Sequence, residues 1–192
     1  MIITITGTPG SGKSTLAKRL AETLGYPHHN IGGMRREIAR RHGLTLEELN
    51  KLGEREDWTD REVDDYIREL GRQGADCIIE GRTAFFLVPQ SLKVFVKVDP
   101  EVGAGRVFHE LQADAATRNE GQGLNSIQDV RASHERRIQS DTFRYQKYYG
   151  VNVYDRSAYD LVLDTSTLTP EQSFQALYRF IQSHPGGRSS RA

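Results

Sequence analysis

Ile2-Ile3-Thr4-Ile5-Thr6-Gly7-Thr8-Pro9-Gly10-Ser11-Gly12-Lys13-Ser14 runs a β-branched segment straight into a glycine-rich turn. Residues of the first kind are stiff at χ1 and favour an extended, buried strand, which the turn residues from Gly7 onward then end. Beyond the turn Leu16, Leu20 and Leu24 recur every fourth residue, Ala17 and Ala21 widen the stripe, and Gly25 stands where a helix C-cap belongs. Strand and helix therefore frame a G-x-x-x-x-G-K-[ST] pattern over Gly7, Thr8, Pro9, Gly10, Ser11, Gly12, Lys13 and Ser14, with Thr15 next in the helix. The residue types follow from the chemistry. Glycines open torsions closed to other residues, so successive N–H groups turn inward at a helix N-terminus and cradle phosphate. Lys13 is expected to reach the β- and γ-phosphates of a nucleotide, and the Ser14 hydroxyl to ligate Mg²⁺.

Working outward, Pro27 to Ile31 reads as a second, weakly written strand. Cys77 to Ile79 before Glu80-Gly81, Val94 to Val98 before Asp99-Pro100, and Leu161 to Leu163 before Asp164 are three more short apolar runs ended by polar turns. Helical patterns occupy Met34 to Arg41, Thr45 to Leu52, Asp60 to Arg72, about Ser126 to Tyr149, and Pro170 to Ser183. Thr45 and Glu48 have the spacing of a capping box. Strands separated by helices imply crossover connections and a parallel sheet covered on both faces, an α/β fold. Residues 112 to 126, rich in Asp, Asn, Gly and Gln, and the tail 184 to 192 are expected to lack fixed structure. No repeat or second domain boundary is apparent.

Composition narrows the function classes. The 192 residues are 36% hydrophobic and 27% charged, a globular balance, and 26 Lys+Arg meet 26 Asp+Glu for a formal net charge of zero. Such a chain has no overall field for nucleic acid or an anionic bilayer, so any basic site is local. One cysteine, Cys77, excludes an internal disulfide or a paired-thiol zinc site and is expected in the core. Neither a leader pattern nor a membrane-length apolar run occurs, so the expected location is the cytoplasm and the expected state a monomer. His28-His29 have no His or Cys partner at ligand spacing and are expected to be ordinary surface or loop histidines.

A phosphate loop alone does not separate GTPase, ATPase and small-molecule kinase. The guanine-reading N-K-x-D is missing, whereas arginines stand where a second, anionic substrate would need them. Gly32-Gly33-Met34-Arg35-Arg36-Glu37, Asp60-Arg61-Glu62-Val63-Asp64-Asp65, Ile79-Glu80-Gly81-Arg82, Ser140-Asp141-Thr142-Phe143-Arg144-Tyr145-Gln146-Lys147-Tyr148-Tyr149-Gly150 and Tyr159-Asp160-Leu161-Val162-Leu163-Asp164 follow the phosphate loop in one order. Together they resemble the short type of cytidylate kinase over residues 1 to 182.

That resemblance implies a three-layer P-loop fold with a central five-stranded parallel sheet, a helical monophosphate-binding segment (about 32–74) and a helical lid (about 111–149) on a core of 1–31, 75–110 and 150–183. It implies transfer of the γ-phosphoryl group of ATP to CMP or dCMP with Mg²⁺, the partners being small nucleotides rather than nucleic acid or membrane. By position Arg36 and Arg82 are expected to hold the acceptor phosphate, a task suited to a planar guanidinium that stays charged. The competing description of Arg36 is a solvated charge run from Arg35 to Arg41. Glu80, at a strand end, is expected to act on the metal through a water, or else to pair with a neighbouring arginine. Arg137 and Arg144 share a helix face with Asp141 between them and are assigned to the phosphoryl group in flight, with an exposed salt-bridged helix as the alternative. Arg118 is a further candidate over ATP. Asp65, with Arg61 beside it, is expected either to read the cytosine amino group or to make ordinary helix-surface pairs. Gly33, where the family usually has an acid, and Thr83 to Leu87 depart from the family pattern near the acceptor. Two other functions fit the phosphate loop: a related kinase with another acceptor (AMP, UMP or a small metabolite), and a nucleotide-switched ATPase acting on an RNA or protein partner.

Overall fold

A computed structural model describes residues 1–113 and 124–184. Five strands form one parallel sheet: β1 (Ile2–Gly7), β2 (His28–Asn30), β3 (Cys77–Glu80), β4 (Leu92–Lys97) and β5 (Leu161–Asp164), in the order β2-β3-β1-β4-β5. The β-branched run is therefore the central strand. It pairs with β3 from Ile2↔Cys77 to Ile5↔Glu80 and with β4 from Ile3↔Leu92 to Gly7↔Val96. All six residues of β1 are buried, as a strand covered on both faces must be.

Side-chain alternation sends Ile3 and Ile5 to one face, where Leu16, Leu20 and Leu24 of α1 (Lys13–Leu24) meet Leu177 and Ile181 of α8 (Pro170–Gln182). Ile2, Cys77 and Ile79 face the other side, against Ile38 of α2 (Ile31–Arg41), Leu49 of α3 (Leu46–Gly53), and Val63 and Ile67 of α4 (Trp58–Gln73). Cys77 is buried, as its apolar neighbours indicate. Thr4 and Thr6 share this face but spend their hydroxyls locally, Thr4 on Ser91 (3.0 Å) and Thr6 on the Gly81 carbonyl (2.7 Å).

The Thr45–Glu48 capping box opens α3 as the spacing indicates. A four-residue helix, α5 (Ala84–Leu87), precedes β4, and α6 (Pro100–Ala113) follows it. The glycines at 103 and 105 suppress the local helical signal of α6, and tertiary packing overrides it. Next comes α7 (Ile127–Tyr149), capped by the Ser126 side chain and ended by Gly150, and then a short 3₁₀ turn at Arg156–Ala158. Tyr145 of α7 packs with Phe85, Phe95, Val153 and Tyr159, and Tyr149 and Tyr154 pack against the same cluster. Arg118, most of the 112–126 stretch and residues 185–192 lie outside the described residues. No helix among the described residues is long and apolar enough to cross a membrane.

Candidate active site

The carboxyl end of β1 releases the chain into the phosphate loop beneath the N-terminus of α1. Gly10 (φ 71°) and Gly12 (φ 79°) take left-handed torsions that only glycine adopts without strain, and Gly12 is the N-cap residue. No acidic side chain occupies the first turn of α1, and the positive end of its dipole faces a cleft of about 460 Å³. Residues 9–16 line one wall of that cleft. The opposite walls carry Arg36 from α2, Glu80 from β3, Arg106 from α6, and His134 and Arg137 from α7, with Thr165, Leu168, Pro170 and Ser173 at one end.

Ser14 Oγ donates to Glu80 Oε1 at 2.5 Å, and Glu80 is only 4% exposed. Burial alone would raise the Glu80 carboxyl, but His28, the Lys13 ammonium and Ser14 outweigh it and hold the group below the ordinary carboxylate range. A hydroxyl and an ionised carboxylate side by side are hard oxygen donors of the kind Mg²⁺ takes alongside phosphate and water. The residues at this point therefore suit Mg²⁺. Among the described residues no cluster of three or more His, Cys, Asp or Glu is placed to hold a metal.

The arginines divide by position. Within the Arg35–Arg41 run, Arg36 lines the cleft, Arg35 turns inward to Asp60 and Asn50, and Arg40 and Arg41 remain outside on Glu37 and Glu62. Arg82 leaves β3 and donates from Nε to Asp141 Oδ2 (2.7 Å) and from Nη1 to the Gly7 carbonyl (2.5 Å), while its buried Nη2 has no hydrogen-bond partner. Arg137 lines both the phosphate cleft and a second cavity of about 400 Å³ between α3 and α7, whose walls include Asn50, Ser133, Gln139, Ser140 and Phe143.

A family model described as cytidylate kinase-like matches residues 2–167. The chain belongs to the cytidylate kinase-like family. It is 37% identical over 188 residues to a cytidylate kinase of Methanopyrus kandleri, covering 92% of this chain and 91% of that one. It is 38% identical over 165 residues to a cytidylate kinase of Methanothrix thermoacetophila, covering 86% and 88%. A shikimate kinase structure from Bacteroides thetaiotaomicron superposes with a TM-score of 0.58 at 18% identity, covering 95% of this chain and 98% of that one. That likeness shows a shared fold over 95% of this chain, and the family and the curated relatives make the protein a kinase.

The kinase does not bring all the arginines and acids of the sequence expectation to its cleft. Arg144 is 0% exposed, bridging Asp60 Oδ2 (2.5 Å) and Asp141 Oδ1 (2.6 Å), and neither it nor Arg82 lines either cavity. Asp141 thus clamps Arg144 and Arg82, not Arg144 and Arg137. Burial opposes its ionisation, yet Arg82, Arg144 and Arg137 pull it well below the ordinary carboxylate value. Arg61 and Asp65 stand on the exposed side of α4, bonded to Asp57 (2.7 Å) and Arg68 (2.8 Å) respectively. Their neighbour Asp64 is the buried one, held by Thr83 Oγ1 (2.7 Å) and the Tyr149 hydroxyl, with burial raising its carboxyl despite those bonds. His28 and His29 are strand residues, not loop residues: His29 Nδ1 meets the Tyr66 hydroxyl at 2.7 Å, and His28 stands beside Glu80.

Sequence reasoning missed Arg106, Gly103 and the Asp60–Arg144 pair. Arg106 donates to the Thr165 carbonyl (2.7 Å) and hydroxyl (3.1 Å), and that hydroxyl in turn donates to the Ser11 carbonyl (3.0 Å), bracing the loop from outside. Gly103 backs the same loop: a Cβ there would lie 2.8 Å from Val98 Cγ1 and 3.0 Å from the Pro9 carbonyl oxygen. Two close glycines in an otherwise helical stretch were the available signal. Gly103→Ala is therefore expected to displace the loop and weaken ADP binding by about 10-fold or more, since sub-ångström shifts of a positioning element are costly. Calorimetry with ADP checks it, and unchanged affinity would show that the loop tolerates the shift.

Proposed function

We propose that the kinase transfers the γ-phosphoryl group of ATP to CMP or dCMP, releasing ADP and the corresponding diphosphate. One observation carries the reading: Arg137 is shared by two adjoining cavities, one floored by the phosphate loop and the other walled by α3 and α7. A donor nucleotide and an acceptor placed in them would meet end to end at that guanidinium. The names of the curated relatives supply the acceptor class.

In this reading residues 7–15 cradle the donor phosphates, and Lys13 neutralises charge at the transferred group. Arg36 holds the acceptor phosphate from the cleft wall, and Arg82, which lines neither cavity, keeps one donor, Nη2, unspent for it. Arg137 faces the phosphoryl group between donor and acceptor, where positive charge lowers the barrier most. Ser14 and, through water, Glu80 would hold Mg²⁺, which when bound neutralises phosphate charge and orients the donor. The second cavity takes the acceptor nucleoside, where the amide side chains of Asn50 and Gln139 and the hydroxyls of Ser133 and Ser140 offer neutral hydrogen bonds to a base. Arg144 acts as a positioning residue, and base choice falls to the cavity rather than to Arg61 and Asp65.

The test is an acceptor panel of CMP, dCMP, UMP, AMP and GMP with ATP and Mg²⁺, reading diphosphate formation. CDP or dCDP formed at a kcat/KM at least about 10² above the others supports the reading, the discrimination expected of a site built to bond a polar base edge. Preference for another monophosphate moves the assignment to that acceptor. Slow ATP hydrolysis unaffected by any of them refutes transfer.

A further inference from the structure

The Ser14–Glu80 pair has a third member. Glu80 Oε2 is buried with no hydrogen-bond partner, and so is His28 Nε2; the two atoms lie 3.3 Å apart, within charge contact but off the axis a hydrogen bond needs. Two polar atoms left unmet in a protein interior are uncommon, and two that face each other form a bond through a small rotation of the ring. The register explains the meeting. Strand β2 pairs with β3 as His28↔Ile78 and Asn30↔Glu80, and residues two apart on a strand share a face, so His28 and Glu80 project from the same side of the sheet. The opposite face takes the next side chain, His29, whose ring is occupied by Tyr66. Adjacent histidines thus have separate duties, and the ring of His28, 19% exposed, is committed to Glu80.

We propose that His28 is a positioning residue for Glu80: its Nε2–H holds Oε2, keeping Oε1 turned toward Ser14 and fixing the oxygen that would meet Mg²⁺ through water. The role rests on the reading of Glu80 given above and extends it to the second oxygen. It asks only for hydrogen on Nε2 and involves no change of protonation. A carboxylate pinned at one oxygen by a serine hydroxyl pivots about that contact, and a second donor removes the pivot. Ligands held by such outer partners typically lose 10- to 100-fold in metal affinity when the partner is removed. Here the metal is shared with phosphate, so a loss of about 10-fold is expected, toward the lower end of that range.

The experiment compares His28→Phe, which keeps the ring volume and removes the donor, with His28→Gln, which places an amide N–H near Nε2. Calorimetry gives the ratio of ADP dissociation constants with and without Mg²⁺, and the nitrogen shifts of the His28 ring in the wild-type chain give its tautomer. Expected are a roughly 10-fold smaller Mg²⁺ enhancement of ADP affinity in His28→Phe, unchanged affinity for metal-free ADP, recovery to within about 2- to 3-fold in His28→Gln, and hydrogen on Nε2. An unaltered enhancement in His28→Phe overturns the proposal, as does equal damage in both variants or an Nδ1–H tautomer with Nε2 bare. The tautomer is read without any substitution and decides the matter if a variant fails to fold. Glu80→Gln separates the underlying reading: if it keeps the full Mg²⁺ enhancement, Glu80 has no part in metal binding, whereas its loss beside an unaffected His28→Phe removes His28 alone.

Discussion

Lys13→Ala lowers turnover by about 10²- to 10³-fold and leaves the fold intact, because a preorganised charge at the transferring group is worth that much in a site screened from water. The side chain lines the cleft at the first residue of α1, and its ammonium is among the groups that keep Glu80 ionised. It packs in none of the buried apolar clusters, so its loss subtracts charge without opening a void. Steady-state kinetics together with a melting curve checks both halves of the expectation. Wild-type turnover would refute the assigned role, and a large fall in melting temperature would relocate Lys13 to the architecture.

Arg144→Met is expected to have the largest effect on stability. Asp60 would keep Arg35, and Asp141 would keep Arg82, but each buried carboxylate would lose the guanidinium that joins them. Breaking a buried ion pair from one side costs about 3–5 kcal/mol, since the charge left behind stays desolvated. At 192 residues each kcal/mol moves the melting temperature by roughly 2–4 °C, so a fall of about 10 °C follows. Arg144→Lys should recover little, because a point charge cannot bridge two carboxylates as a planar fork does. The comparison also decides between two roles. A melting temperature close to wild type with kcat reduced would return Arg144 to the phosphoryl group, as its position in the sequence suggests.

What was legible in the chain was whatever local physics writes there. The β-branched run and its glycines specified strand, phosphate loop and helix, and the leucine stripe of α1 named the face that meets the sheet. The capping box placed α3, and the alternation of short apolar runs with helical patterns implied the parallel sheet that is observed. Less was legible where packing overrides propensity. Helix α6 carries glycines at 103 and 105, and at 103 the reason is the approach of the loop backbone, a contact with no local signature. Strand β2 is three half-buried polar residues, held by pairing with β3 and not by its own composition.

The arginines mark the same division within the site. Sequence supplies a count of guanidiniums and their helical spacing, and seven residues do put Arg137 and Arg144 near one face of α7. Which of them meets a cavity and which a carboxylate depends on Asp60, 84 residues from Arg144 along the chain. Likewise Asp64 and Asp65 are neighbours of equal chemistry, and only the packing of α4 against Thr83 and Tyr149 buries one and exposes the other.

The sequence by itself determined the phosphate loop and the α/β class, because backbone torsions, side-chain periodicity and nearest-neighbour capping act over a few residues, and the family was legible in the resemblance of its ordered motifs. The tertiary structure alone decided which charges face the cleft and which are paired within the protein. A charged side chain takes its partner by distance in space and by access to water, and neither is fixed until the strands and helices have been brought together.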